Sequence, residues 1–335
     1  MFNSETLLMM QDQPYFSKID KISDREEQGT FYFQNETGYG KIDVYRILPG
    51  FELHYNDINM SYMDEGLFYG CDDKDNDIIE INHCSRGRYE CDSGTRSTCY
   101  ISPGDLSISP MFKPKIASGF PLNHYYGVAV YINAKKIPNE LKSLFKILTI
   151  DLSKLYSIIC SEKHHIIVRA NESIQHIFSE LYSLREKRKL GYMRVKTLEL
   201  LLFLSDFCDD DLKCEERYFD LIRVHKIKEI RDFMVSDISK HYTIEELSKK
   251  FEIAPTSMKK CFKGVYGTSI YAYLRTYRLQ SAQEMLMNSS ASVSEIAVRV
   301  GYSNPNKFMA AFKQEYGITP MRFRKSVCED RIMSE

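Results

Sequence analysis

No stretch of this chain approaches the ~20 consecutive apolar residues that a membrane-spanning helix needs. The only early apolar run, Leu7 to Met10, follows Glu5 where a secretory leader would carry positive charge. The expectation is a protein neither exported nor anchored, working in the cytoplasm. Cys-x-x-Cys spacing is missing too, and the nine cysteines (71, 84, 91, 99, 160, 208, 214, 261 and 328) are odd in number and scattered. That excludes a disulfide framework and points to reduced thiols. A His-x-His pair is also absent. His54, His83, Cys84, Cys91, Cys99 and His124 are the available ligands, but His83 and Cys84 are adjacent and would point to opposite faces of a strand. No metal, cofactor or catalytic residue is therefore expected. What is present is ordinary globular material, 43% hydrophobic and 27% charged, which excludes disordered and collagen-like chains. At 335 residues it has room for two or three domains.

The formal net charge of −1 conceals a split. Residues 222–327 hold 18 Lys and Arg against 9 Asp and Glu, whereas residues 1–221 hold 26 against 34. A basic segment of about a hundred residues suits a polyanion, because clustered Lys and Arg release the counterions condensed on phosphates.

From about Tyr15 to Ile137 the text is rich in Tyr, Phe, Ile and Val in short runs, such as Thr30 to Phe33, Ile42 to Leu48, Ile78 to Asn82 and Val128 to Ile132. Gly and Pro punctuate them in the manner of an antiparallel barrel or sandwich. After Asn139 the period becomes helical: Leu141, Leu144, Phe145, Leu148, then Ile174, Ile177, Phe178, Leu181, then Val195, Leu198, Leu201, Leu202. Ile166 to Val168 reads as one strand between these helices. The acidic stretch that starts at Asp209 reads as a linker. The fold class is α+β, with an antiparallel barrel over 1–137, a helical dimerisation segment over 138–208, a linker over 209–221 and an all-α domain over 222–327.

Within that last domain the chain nearly repeats itself. Thr243 to Ser269 and Ser292 to Thr319 each open on a capping box, Thr243-x-x-Glu246 and Ser292-x-x-Glu295. In the first copy Ile244, Leu247 and Phe251 form one apolar face and Met258, Phe262 and Val265 another, with a tight turn between them. In the second, Val293, Ile296, Ala297 and Val300 are followed by the helix stop Gly301, the cap Asn304 and the first-turn Pro305. Phe308, Ala311, Phe312 and Tyr316 then seat the second helix. Each copy is a helix-turn-helix. The helical stretch from Ile270 to Met287 between them spans ~27 Å, comparable to the ~34 Å between successive major-groove faces of DNA.

Opposite the apolar faces lie the candidate DNA-binding residues. They are Thr256, Ser257, Lys259, Lys260 and Lys263 in the first copy, and Asn304, Asn306, Lys307, Met309, Ala310 and Lys313 in the second. Hydroxyls, amides and ammonium groups in such a stripe suit phosphates and base edges.

Over about 105 residues the sequence resembles the AraC/XylS transcription regulators. Arg278-Leu279-x-x-Ala282-x-x-Met285-Leu286 is similar to the family's connector helix. Gly301-Tyr302-Ser303 through Phe308, Phe312-Lys313, Gly317, Thr319-Pro320 and Phe323-Arg324 follows its C-terminal signature. The resemblance implies seven helices and two recognition helices in consecutive major grooves, with Thr256, Lys259 and Lys260 contacting DNA in the first reader and Asn306, Met309 and Ala310 in the second. Two positions depart from the family: Met309-Ala310 stand where Ser-Arg is usual, and Ala254 where Ser is common. The resemblance also implies an upstream cupin-like barrel that senses a small molecule, with Ser102-Pro103-Gly104-Asp105-Leu106 as a barrel turn. Tyr55, Tyr62, Phe68, Tyr69, Tyr125 and Tyr126 are candidates for a pocket lining or for barrel packing. The implied partners are double-stranded DNA, a small-molecule effector, a second copy of the chain and, for an activator, RNA polymerase. The competing readings are a cupin-type metalloenzyme, which explains only the barrel, and a non-specific architectural nucleic-acid protein, which explains only the basic end.

Overall fold

The computed structural model describes residues 28–64, 78–92, 97–110, 117–162, 166–187, 189–206 and 219–333. The chain divides into two compact units, Met1–Asp220 and Leu221–Glu335.

The first unit is built on two antiparallel sheets. In the larger, β1 (Gln28–Asn35), β2 (Gly38–Leu48), β3 (Phe51–Asn59), β10 (Tyr125–Asn133), β5 (Ile78–Gly87), β8 (Leu106–Pro110) and β11 (Ile166–Val168) lie side by side in that order. The smaller follows the order β12 (Phe219–Asp220), β7 (Ser97–Ile101), β6 (Tyr89–Asp92), β9 (Ala117–Gly119) and β4 (Tyr62–Asp64). The runs read as strands are strands, Ile166–Val168 included. Both sheets are antiparallel, as expected, and no closed barrel is found: among the described residues no pairing joins the edge strands β1 and β11. Side chains from both sheets share one apolar core between them. Phe33, Ile42, Ile58, Cys84, Cys99 and Ile101 belong to that core.

The other face of the large sheet is covered by α1 (Asn139–Ile147), α2 (Leu152–Glu162), α3 (Glu172–Lys187) and α4 (Leu190–Ser205). Strand alternation sends Leu53 and Tyr55 to this face, where they share one core with Phe178, Leu181, Leu200, Leu201 and Leu204. Tyr55 also donates its hydroxyl to the Leu181 carbonyl at 2.7 Å. At about 1.5–3 kcal/mol per buried Leu or Phe, these helices are part of the first unit's core rather than a separate layer. Leu144, expected inside, is 40% exposed. The Pro103-Gly104 turn is pinned by Asp105, whose carboxylate accepts from the Ser102 and Ala170 amides and from Arg169 Nη1 at 2.6 Å. Residues 209–218 of the proposed linker and the pocket candidates Phe68 and Tyr69 lie outside the described residues, while the linker's last three residues are Phe219–Asp220 of β12 and Leu221 at the start of a helix.

The second unit is helical: α5 (Leu221–Ser236), α6 (Ile244–Lys250), α7 (Pro255–Tyr266), α8 (Ile270–Asn288), α9 (Val293–Arg299), α10 (Pro305–Tyr316) and α11 (Pro320–Met333). The last helix runs past the expected end at 327. Its internal repetition extends to the packing. Phe262, Tyr266 and Tyr273 form an aromatic triad, with ring centroids 4.6 Å apart for Phe262–Tyr266. Fifty residues on, Phe312, Tyr316 and Phe323 form another, with 4.5 Å for Phe312–Tyr316. No described helix is long and apolar enough to cross a membrane.

Candidate nucleic-acid interface

Both helix-turn-helix copies start as their sequences dictate. The Glu246 amide donates to Thr243 Oγ1 at 3.1 Å while Glu246 Oε2 accepts from the Thr243 amide at 2.9 Å. The second box repeats this between Ser292 and Glu295 at 3.2 and 2.7 Å. These hydrogen bonds hold the Glu246 and Glu295 carboxyls below their ordinary titration range, because the ionised form is the better acceptor.

The two turns then diverge. Between α6 and α7, Glu252 takes the left-handed conformation at φ +50°, and Ala254 caps α7 with no side-chain hydrogen bond. Between α9 and α10 the left-handed residue is Gly301 at φ +83°, and Asn304 Oδ1 accepts from the Asn306 and Lys307 amides at 2.8 and 3.4 Å. The second turn is one residue longer, which changes the offset between copies from 49 to 50.

The recognition helices α7 and α10 keep their apolar residues inside: Met258, Phe262 and Val265 in the first, Phe308 and Phe312 in the second, all fully buried. Outside, Thr256, Lys259, Lys260 and Lys263 are exposed on α7, and Ser257 is half-buried. On α10, Asn306, Lys307, Ala310 and Lys313 are exposed, as is the cap Asn304. Met309 differs from its neighbours: it is half-buried and packs against the core of the second copy. The periodicity contains this signal. One residue is about 100° of helix, so Met309 lies about 60° from the centre of the buried arc through Phe308, Phe312 and Tyr316.

The connector α8 belongs to both copies. Its first half buries Ile270, Tyr273 and Leu274, and its second half contributes Leu279, Ala282 and Leu286 to the core of the second copy. Arg231 Nε donates to Tyr273 OH at 3.0 Å, tying α5 to the connector. Arg275 donates to Gln314 Oε1 at 2.8 Å, tying the connector to α10. Sequence reasoning did not find these arginines: Arg275 lies on a helix read only as a spacer, and Arg231 on the helix that precedes the repeat.

In the first unit, His83 and Cys84 do point to opposite faces. His83 stacks on Phe178 at 4.1 Å and Cys84 lies in the core between the sheets. Among the described residues no group of three or more His, Cys, Asp or Glu is placed to hold a metal.

Two helix-turn-helix hairpins, each with a sealed apolar face and a polar, largely basic outward stripe, joined by one rigid helix, define a double-stranded-DNA-binding transcription regulator. Residues 247–326 match the family model described as a helix-turn-helix domain. The chain is 25% identical over 203 residues to the HTH-type transcriptional activator RhaR of Mannheimia succiniciproducens, covering 60% of this chain and 71% of that one. It is 24% identical over 243 residues to the lactose operon transcription activator of Staphylococcus xylosus, covering 68% and 77%. A third relative, the Msm operon regulatory protein of Streptococcus mutans, is 24% identical over 291 residues, covering 86% and 97%. Over residues 247–326 the chain carries a helix-turn-helix domain, and it is similar to these transcription regulators.

Proposed function

We propose that this regulator senses a small polar molecule in its first unit and reads a bipartite operator with its second, acting as a homodimer on DNA in the cytoplasm. The observation that carries the DNA half is the duplicated outward stripe: Thr256, Lys259, Lys260 and Lys263 on α7, and Asn306, Lys307, Ala310 and Lys313 on α10, each backed by fully buried aromatic side chains. Lysines and Thr256 suit phosphates and guanine, Asn306 suits adenine, and Ala310 suits a thymine methyl.

The sensor half rests on the face of the large sheet turned away from the helices. Register aligns His54, Ala129, Asn82 and Ser107 in one row and Glu52, Tyr131, Glu80 and Ser109 in the next. Tyr131 OH donates to Glu80 Oε1 at 2.8 Å and Tyr125 OH to Asn82 Oδ1 at 2.6 Å. On the same face, His54 Nδ1 and Asn56 Oδ1 are buried without a hydrogen-bond partner. Because His54 Nε2 lies 2.9 Å from Glu52 Oε2, its proton sits on that side and Nδ1 is an acceptor, as is Asn56 Oδ1. Two orphan acceptors cost about 1–3 kcal/mol each, and ligand hydroxyls would satisfy them. The relative from S. xylosus is named for a sugar operon, and a polyhydroxylated effector is the chemistry this face fits.

Dimerisation is supported by the apolar residues that α4 leaves outside the core. Leu200, Leu201 and Leu204 are buried, yet Tyr192 and Val195 remain 60% and 59% exposed beside half-buried Leu198 and Leu202. As an activator the regulator would also contact RNA polymerase. The reading assigns no catalytic residue. Selection of duplexes from a randomised library by the full chain tests it. Enrichment of two short elements about one helical turn apart, bound with an affinity that falls steeply with log salt, is the expected result. Binding without sequence preference would instead support an architectural protein.

A further inference from the structure

At the midpoint of α8 the Arg278 guanidinium is buried, with 8% of the residue exposed. Its Nε donates to the Ile238 carbonyl and one terminal nitrogen to the Lys240 carbonyl, both at 2.8 Å. Those carbonyls belong to the loop between α5 and α6, just ahead of the first copy. The other side of the same guanidinium lies against Gly301, in the turn that aims α10. A Cβ on Gly301 would come within 2.6 Å of the Ile238 carbonyl oxygen and 2.8 Å of the Arg278 guanidinium. Ile238 also packs its side chain on the core of the second copy. Three segments thus meet at one waist: the loop before the first helix-turn-helix, the connector, and the turn inside the second.

We infer that Arg278 is a positioning residue that fixes the spacing and angle between the two recognition helices, and so sets the operator spacing that the regulator accepts. A planar fork with two parallel donors can hold two loop carbonyls in place while its flat face leaves room for a glycine Cα. A lysine has the charge but not the fork. The recognition stripes themselves do not touch Arg278, so its loss leaves each reader intact and frees one from the other. The inference rests on the bipartite reading above.

The test uses the full chain and a duplex selected by the wild-type protein from a randomised library, with derivatives carrying one inserted base pair between the elements or one element scrambled. One base pair shifts the second element by about 3.4 Å and turns it by about 35°. Wild-type protein should lose at least about tenfold in affinity on insertion, in proportion to the contacts one reader forfeits. Arg278→Met should bind the parent duplex more weakly, bind the scrambled-element duplex as wild type does, and lose less than about threefold on insertion. Arg278→Lys should fall between them. A wild-type insertion penalty in both folded variants, or equal losses on the parent and scrambled duplexes, overturns the inference and leaves the bipartite reading standing. Failure of both variants to fold, checked by circular dichroism, would make Arg278 a residue of the core and overturn it too. Failure of the wild-type protein to select any duplex overturns both.

Discussion

Replacing Met309 by alanine and replacing Lys259 by alanine should damage different properties, although the two residues occupy equivalent places on the two recognition helices. Lys259 is exposed beside Lys260 and Thr256, so its ammonium group is free to meet a phosphate or a guanine. A base or phosphate contact of this kind is worth about 1–3 kcal/mol, or roughly 5- to 150-fold in affinity. Its removal from an exposed helical position should not lower stability, since alanine is the better helix former. Met309 cannot donate a hydrogen bond, and part of its side chain already packs on the core of the second copy. Truncating a fully buried Met costs about 2–5 kcal/mol, so a half-buried one should cost about 1–2 kcal/mol. That is a fall of about 5–15 °C in the melting temperature of a unit this size. Lys259→Ala and Lys260→Ala should therefore weaken binding to a selected duplex with unchanged melting, and Met309→Ala should lower the melting point with a smaller loss of binding. Fluorescence anisotropy at fixed salt, well below each melting point, together with calorimetry, separates the two. Equal affinity losses, or a larger loss at Met309 than at both lysines, would refute the asymmetry.

The first turn should accept stabilising changes. Glu252→Gly removes the cost of a left-handed L-residue, about 1 kcal/mol, and Ala254→Ser supplies the missing cap of α7, about 1 kcal/mol. Denaturant midpoints should rise for each, and a fall for both would contradict the turn geometry. In the first unit, burial holds the His83 imidazole neutral, lowering its pKa from 6.5 to about 4. Between those values the unfolded chain carries the proton and the folded one does not, so stability rises with pH and is fully present above about 6.5. The window is worth on the order of 3 kcal/mol. His83→Phe keeps a ring on Phe178 and should flatten the pH dependence of unfolding between pH 4 and 6.5; an unchanged slope would contradict the assignment.

How much of this could be read beforehand depended on how local the signal was. Capping boxes, the Asn304-Pro305 start and the buried faces of α7 and α10 are each written in a short run of neighbouring residues, and each is found in the structure as read. The strands of the first unit were legible for the same reason, since alternation is a property of neighbours. Closure of a barrel is not. It depends on edges far apart in the chain, and here β1 and β11 stay unpaired with each other among the described residues. The apolar surplus on α4 reads in sequence as more than one helix needs beside a barrel, and so as a contact for a second copy. Most of it is buried against the large sheet, and only Tyr192 and Val195 remain well exposed. The polar face carrying His54, Asn82 and Glu80 escaped notice because those residues come from different strands and meet only through register.

The two turns show how one motif, used twice, diverges where its copies meet. Both chains bend through a left-handed residue after the first helix, and elementary sterics favour glycine there in both. Glu252 is tolerated because its side chain points to solvent, so the bend costs only backbone strain. Gly301 has no such freedom, since the Ile238 carbonyl and the Arg278 guanidinium occupy the space that a Cβ would take. The constraint on the second turn is therefore set by the loop ahead of the first copy and by the connector. A glycine that reads in sequence as a helix stop is, in the folded unit, also the place where the second reader is aligned to the first. The longer turn also carries its own cap: Asn304 satisfies the first amides of α10, whereas α7 begins on an uncapped Ala254.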